Sequence, residues 1–365
     1  MPSMPSSFLD RTRNARRILV VDLGFLGDSV HLVPACWELR RNYPHAELHT
    51  LSAVVGSDLL SLAPCVDRAW AYPLSYPSPP WWKHLDILRA IRRERFDVAL
   101  SFSGGDRPVL VTALSGARHR LAHDNGRHHF YNRWLAGDWI PRQRDDLPVF
   151  QQRRKVLEAA GLFLGPVTWD LRVADDPETR ALCGSLGPRC VHLSLSSNTD
   201  LNDWPVTASA TFVERLLESD AQWSVVLTSG SGRREAGRLE EFFARVRSPR
   251  VRRLPVGMPL GRLAAVLKGC AAHFGPDSGV LHLASALGVP TVATFRERGG
   301  WRQWVPDSIR HHSLSVPCPC SGARRGECAA RGQAGCLESI PVPQALDALR
   351  SVLEPHHRGG DPKVL

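Results

Sequence analysis

No stretch of this 365-residue chain stays apolar for the ~18 residues that a membrane-spanning helix needs. The longest apolar runs stop at Gly, Pro or a charge. A secretion signal is also lacking. Residues 1–14 are polar and carry Asp10, Arg11 and Arg13, and the short apolar run 18–23 contains Asp22. A cytoplasmic protein is therefore expected, its nine cysteines thiols or metal ligands rather than disulfides. The phosphate-binding G-x-G-x-x-G spacing is missing, which disfavours a dinucleotide oxidoreductase. There is no paired C-x-x-C, and His128-His129 and His311-His312 lack helical metal spacing. No repeat of about 20–50 residues is evident.

Acidic side chains are the scarcer charge. Thirty-six Asp and Glu stand against 46 Lys and Arg, a net charge of +10 spread along the chain rather than held in a tail. That balance favours an anionic partner, such as a nucleotide, a phosphorylated glycolipid or a membrane surface, and leaves nucleic acid open. A hydrophobic content of 43% excludes general disorder.

Two stretches alternate short buried-type strands with amphipathic helices. In the first, strands are expected at 17–22, 47–52, 68–72 and 97–102, with helices within 28–42, 57–62 and 84–95. In the second, strands are expected at 190–195, 223–228, 250–254, 271–275 and 291–295, with helices at 207–218, 235–244, 260–268 and 279–287. The same succession occurring twice predicts an α/β protein of two Rossmann-like domains with mostly parallel sheets. The Gly-, Pro- and Asp-rich stretch 165–188 marks the join. Expected boundaries are a mobile tail over 1–15, domains over 16–172 and 173–342, a last helix over 343–355 and a tail over 356–365. Ligands of open α/β sheets sit beyond the carboxyl ends of the strands, so a cleft between the domains is the expected site.

Two motifs fall at such ends. Gly24-Phe25-Leu26-Gly27-Asp28 follows the first strand. There Asp28 reads either as a helix N-cap or as a general base, although a helix N-terminus lowers a carboxylate pKa. Phe274-Gly275-Pro276-Asp277-Ser278-Gly279 leads from a strand into a helix that carries His282 one turn later. Asp277 or Ser278 can cap that helix, and its first N–H groups offer an anion site. Capping alone requires neither Gly279 nor His282, which favours a ligand-binding role.

With these motifs in order, and with Pro34, Trp204-Pro205, Ala284 and Pro290, the chain resembles glycosyltransferase family 9, the bacterial heptosyltransferases of the lipopolysaccharide inner core, from about Arg17 to Leu353. The resemblance implies a GT-B fold, with an N-terminal acceptor domain facing a C-terminal nucleotide-sugar domain. It implies inverting transfer from an ADP-sugar to an anionic glycolipid, with no cofactor required for catalysis, no nucleic acid and peripheral contact with the inner membrane. Asp28 then matches the catalytic base. Asp277, Ser278, Gly279 and His282 match the diphosphate segment, Ser194, Ser196 and Ser197 the first loop of the nucleotide domain, and Glu235 the ribose region. Relatives usually carry Lys where Asn202 stands, and a neutral amide supplies no charge to a pyrophosphate. Arg296, Arg298 and Arg302 are candidates for that charge. Asp22 stands where many relatives are basic. These departures keep two alternatives in view: a transferase of the same fold with another donor or with a protein or small-molecule acceptor, and a non-catalytic nucleotide-sugar binder.

Two further clusters are notable. Cys318, Cys320, Cys328 and Cys336 have the ligand chemistry of a structural zinc or iron site, and some autotransporter heptosyltransferases hold iron in such a segment. Arg118, Arg120 and Arg127, with neighbouring histidines, are candidates for binding an acidic acceptor, against the plainer reading of a solvated basic surface. Trp81 and Trp82 are candidates for a membrane interface.

Overall fold

The computed structural model describes residues 7–74, 81–102, 105–124, 130–144, 146–297, 300–318 and 327–354. Two six-stranded sheets, parallel throughout, account for the twelve strands. The first contains β1 (Arg17–Asp22), β2 (Glu47–Ala53), β3 (Arg68–Tyr72), β4 (Val98–Ser101), β5 (His119–His123) and β6 (Asp138–Ile140). The second contains β7 (Arg189–Leu193), β8 (Trp223–Leu227), β9 (Val251–Arg253), β10 (Ala272–Pro276), β11 (Thr291–Thr294) and β12 (His311–Leu314). Their orders are β3-β2-β1-β4-β5-β6 and β12-β11-β10-β7-β8-β9. Both are the doubly wound order, with the chain reversing direction between β1 and β4 and again between β7 and β10. This is the expected α/β architecture of two Rossmann-like domains, the GT-B fold.

Strands such as β1 and β8 are Val-, Ile- and Leu-rich because helices cover both faces of a parallel sheet. β1 is buried from Ile18 onward. Each domain has an apolar cluster of its own, and a further one is shared. One apolar cluster joins Val30, Val33 and Leu60 of the first domain to Leu263, Leu267, Leu283 and Ala284 of the second. Helix Leu26–Asn42 packs on helix Gly279–Ala286 to form that seam.

Some expectations need correcting. Residues 8–12 do not belong to a mobile tail: they form helix Phe8–Thr12, with Phe8 and Thr12 buried. Ser7 accepts from the Asp10 amide and Asp10 from the Ser7 amide, a capping box that stabilises so short a helix. The last helix, Val342–Leu353, packs on β11, β12 and helix Val206–Ser219. β5, β6, β12 and helices Asp106–Leu114, Phe130–Ala136, Val149–Ala159 and Pro177–Gly184 have no counterpart among the expected elements. The three strands are short and polar, so no apolar alternation announces them.

Candidate functional site

Both expected motifs lie beyond the carboxyl ends of strands at the reversal points, and the domain seam brings them together. Two cavities result. The larger, about 580 Å³, is lined from the second domain by Ser194, Ser196, Glu235, Met258 and Ser278, and from the first by Phe25, Leu26 and Val55. The smaller, about 130 Å³, collects Gly27 and Asp28 with Asn202, Asp277, His282 and Trp304. Phe25, Asn198, Ser278 and Gly279 line both, so the two are neighbouring parts of one cleft.

Asp28 is the third residue of helix Leu26–Asn42, not its N-cap. Its carboxylate reaches back to accept the Phe25 amide at 2.9 Å. Gly24 permits this turn, since a Cβ there would lie 2.4 Å from Asp28 Cγ. Arg153, on helix Val149–Ala159, lies 2.6 Å from the buried Asp22 carboxylate and 3.6 Å from that of Asp28, and donates to the Asp28 carbonyl. Burial and the neighbouring Asp22 raise the Asp28 pKa, while Arg153 and the Phe25 amide oppose that rise. The net direction is up, contrary to the expectation from the helix terminus alone. A quarter of the side chain still meets solvent. Asp28 is thus a carboxylate of raised basicity, open to the cleft.

Opposite it, Ser278 caps helix Gly279–Ala286, accepting from the Leu281 amide. Gly279 is required for a reason the sequence did not disclose: a Cβ would fall 2.6 Å from Leu26 Cβ, across the seam. Gly27 is constrained the same way, its Cβ position being 2.8 Å from the His282 ring. His282 is buried, with Nε2 3.6 Å from Asp277 Oδ1 and Nδ1 3.2 Å from Nε2 of His31.

The loop after β7 is held rigidly. Asp203, fully buried, accepts from the Ser197 amide at 2.6 Å and pairs with Arg234 and Arg238. Arg238 also donates to the carbonyls of Leu195 and Trp204. This fixes Ser194, Ser196 and Asn202 along the cleft. Asn202 Oδ1 is buried without a hydrogen-bond partner, as is Glu235 Oε2. Both residues line the cavities, so each leaves an acceptor for a ligand. Glu235 folds against Gly230, where a Cβ would lie 2.2 Å from its Oε2.

Asp28, Ser194, Ser196, Asn202, Glu235, Asp277, Ser278, Gly279 and His282 therefore meet in one cleft. The remaining candidates lie elsewhere. Among the described residues no Arg or Lys lines either cavity, Arg296 and Arg302 included; the exposed Arg302 stacks on Trp301. Arg298 lies outside the described residues. Arg120 spends its guanidinium on the carbonyls of Leu135 and Ala117, Arg118 is exposed, and Arg127 lies outside the described residues. Cys318, Cys328 and Cys336 pack in or against the second-domain core, while Cys320 lies outside the described residues. Among the described residues no group of three metal-ligating side chains forms. No described helix is long and apolar enough to cross a membrane.

The sequence reading missed Arg153, His31 and the Asp203–Arg234–Arg238 network. His31 follows Asp28 by three residues, one helical turn, a spacing that could have flagged it. Arg153 is 125 positions from Asp28 and carried no local signal.

Comparison with known proteins agrees with this fold. The model of glycosyltransferase family 9 (heptosyltransferase) matches residues 84–328. Lipopolysaccharide heptosyltransferase 2 of Salmonella typhimurium is 24% identical over 297 residues, covering 76% of this chain and 82% of that protein. A family 9 glycosyl transferase structure from Veillonella parvula superposes with TM-score 0.76 at 18% identity, covering 96% of this chain and 98% of that one. An Escherichia coli heptosyltransferase solved with ADP gives TM-score 0.70 at 16% identity, covering 92% and 99%.

Proposed function

Because the chain belongs to glycosyltransferase family 9, the heptosyltransferase family, we propose that it transfers a heptosyl group from an ADP-activated donor to a lipopolysaccharide-type glycolipid. The observation that carries this reading is Asp28 sharing one small cavity with Asp277 and His282, beside a larger cavity of nucleotide size. In this reading the adenine ring lies among the apolar linings of Leu195, Leu239, Met258 and Leu263, and a ribose hydroxyl donates to Glu235 Oε2. The diphosphate meets the N-terminus of helix Gly279–Ala286, Ser278 and His282. The ADP-bound relative supports this choice of nucleotide.

In this reading Asp28 takes the proton of the acceptor hydroxyl. The acceptor oxygen bonds to the anomeric carbon on the face opposite the diphosphate, so configuration inverts. The anomeric C–O bond breaks and its electron pair leaves with ADP. The helix terminus and the His282 N–H stabilise that charge. No metal is assigned a catalytic part.

The acceptor reading carries a location, the cytoplasmic face of the inner membrane. It is supported by an exposed patch on the first domain. Phe130 is 91% and Trp134 81% exposed on helix Phe130–Ala136 with the exposed Arg133, and the helix packed against it, Asp106–Leu114, exposes Arg107, Leu110 and Leu114. Aromatics flanked by arginines suit an anionic lipid surface.

That no Arg or Lys among the described residues lines either cavity favours one second reading, a different nucleotide-sugar donor. A donor screen decides between them. Thermal shift with ADP-, GDP- and UDP-sugars should show stabilisation by ADP-heptose first. A greater shift with a GDP- or UDP-sugar would select the second reading.

A further inference from the structure

His31 and His282 are both buried, one on each domain, and they share the single N···N hydrogen bond of 3.2 Å between His31 Nε2 and His282 Nδ1. One proton lies in that bond, and which ring owns it decides what His282 shows to the cleft. If His282 placed its ring proton on Nδ1, a bare Nε2 lone pair would face the Asp277 carboxylate, 3.6 Å away, and any bound diphosphate. Both are anionic acceptors, and lone pair would face lone pair. If His31 donates, His282 Nδ1 accepts and Nε2 carries the N–H that Asp277 and a diphosphate require.

We propose that His31 is a positioning residue: by donating Nε2–H to His282 Nδ1 it locks the tautomer in which His282 presents Nε2–H to the donor diphosphate. The diphosphate half of this rests on the nucleotide-sugar reading above; the tautomer half does not. The surroundings of His31 agree. Its ring lies among Phe150, Trp169 and Trp304, at 6.2, 6.1 and 5.5 Å between centroids. Its Nδ1 is buried with no partner, as suits a bare acceptor better than a stranded N–H. Burial, the adjoining His282 and the Arg153 charge all push the His31 pKa down, which favours a ring with one proton to place. The carboxylates of Asp28 and Asp277 face His282, not His31. A hydrogen bond to one ring nitrogen sets the state of the other, as for metal-ligating histidines. Because this bond crosses the seam, the second domain presents its donor N–H only when the first is seated against it.

Long-range ¹⁵N–¹H correlation of ring nitrogens in the full-length, ¹⁵N-histidine-labelled protein tests the tautomer directly. Signals are assigned from the His31→Gln and His282→Gln spectra. The expected pattern is a protonated Nε2 and bare Nδ1 on both rings. A proton on His282 Nδ1, alone or with Nε2, overturns the proposal. In His31→Phe, His282 should lose its fixed pattern and ADP should bind about five-fold more weakly, the equivalent of one neutral hydrogen bond. His31→Gln, whose amide can donate from a similar position, should restore both. Wild-type ADP affinity in His31→Phe would also overturn the proposal. Where His31→Phe fails to fold, the ligand-free wild-type spectrum, assigned from the Gln variants, still decides. Wild-type protein that shows the expected tautomer and binds no ADP refutes the nucleotide reading instead.

Discussion

Gly279 and Leu26 meet across the domain seam so closely that a Cβ on Gly279 would lie 2.6 Å from Leu26 Cβ. Gly279→Ala should therefore force the two domains apart and cost about 1–3 kcal/mol, as overpacking does. Leu26→Gly in the same chain, which removes that Cβ, should recover part of that loss. Chemical denaturation of the two single variants and the double variant measures the coupling. Additive losses would place the strain elsewhere.

Asp28→Asn should lower turnover by ~10²–10⁴ while ADP affinity changes little, because the carboxylate lies outside the larger cavity. The Asn oxygen can still accept the Phe25 amide, so the helix start survives. Stability should not fall near neutral pH. A folded pKa above the unfolded one means the charged carboxylate is disfavoured in the fold, so its contribution is greatest at low pH and is lost as pH rises through the folded pKa. Removing the charge removes that loss. Rate assays and melting curves at pH 7–8 check both statements, and full activity in a folded Asn variant would reduce Asp28 to a structural role.

Arg153→Met should shift the acidic limb of the pH–rate profile to higher pH. Arg153 is the cation that opposes the upward push on Asp28 from burial and Asp22. Without it, the base is protonated at a higher pH and activity is lost earlier on acidification. Asp22→Asn should move the limb the other way. Profiles that coincide with the wild type would leave the Asp22–Arg153 pair a purely structural contact.

Glu235→Ala should weaken ADP binding by ~1.5–3 kcal/mol, the range for a hydrogen bond to a charged group. Its Oε2 is buried at the cavity wall without a partner, ready for a donating hydroxyl. Calorimetry with ADP and with 2′,3′-dideoxy-ADP separates ribose contact from other effects: the variant and the truncated ligand should lose the same affinity, and not add.

Replacing both Phe130 and Trp134 by Ser should cut binding to vesicles containing phosphatidylglycerol by about ten-fold or more, from the apolar area withdrawn. Sedimentation with anionic and neutral vesicles reads this. Equal binding of both proteins would remove this patch from the membrane reading. A structural zinc or iron held by Cys318, Cys320, Cys328 and Cys336 is likewise a proposal, for elemental analysis of untagged protein to decide.

The periodicity of the chain by itself determined most of the sheet framework. β1 and β3 begin and end where the apolar alternation does, and the Gly24–Asp28 and Asp277–His282 motifs fall at strand ends because turn and cap residues act on their immediate neighbours. Polar strands such as β5 and β12 escaped, since their pairing comes from the ladder beside them and not from their own pattern. Tertiary structure alone decided how the site works. It brought Arg153 to Asp28 across 125 positions and His31 to His282 across 251, and turned Arg120 onto the Leu135 carbonyl. Local spacing carries no information about such pairs. The Arg153 and Arg120 contacts exist only once the first domain has packed, and the His31–His282 pair only once two helices have buried their apolar faces against each other across the domain seam; that burial fixes which charges and which protons stand face to face.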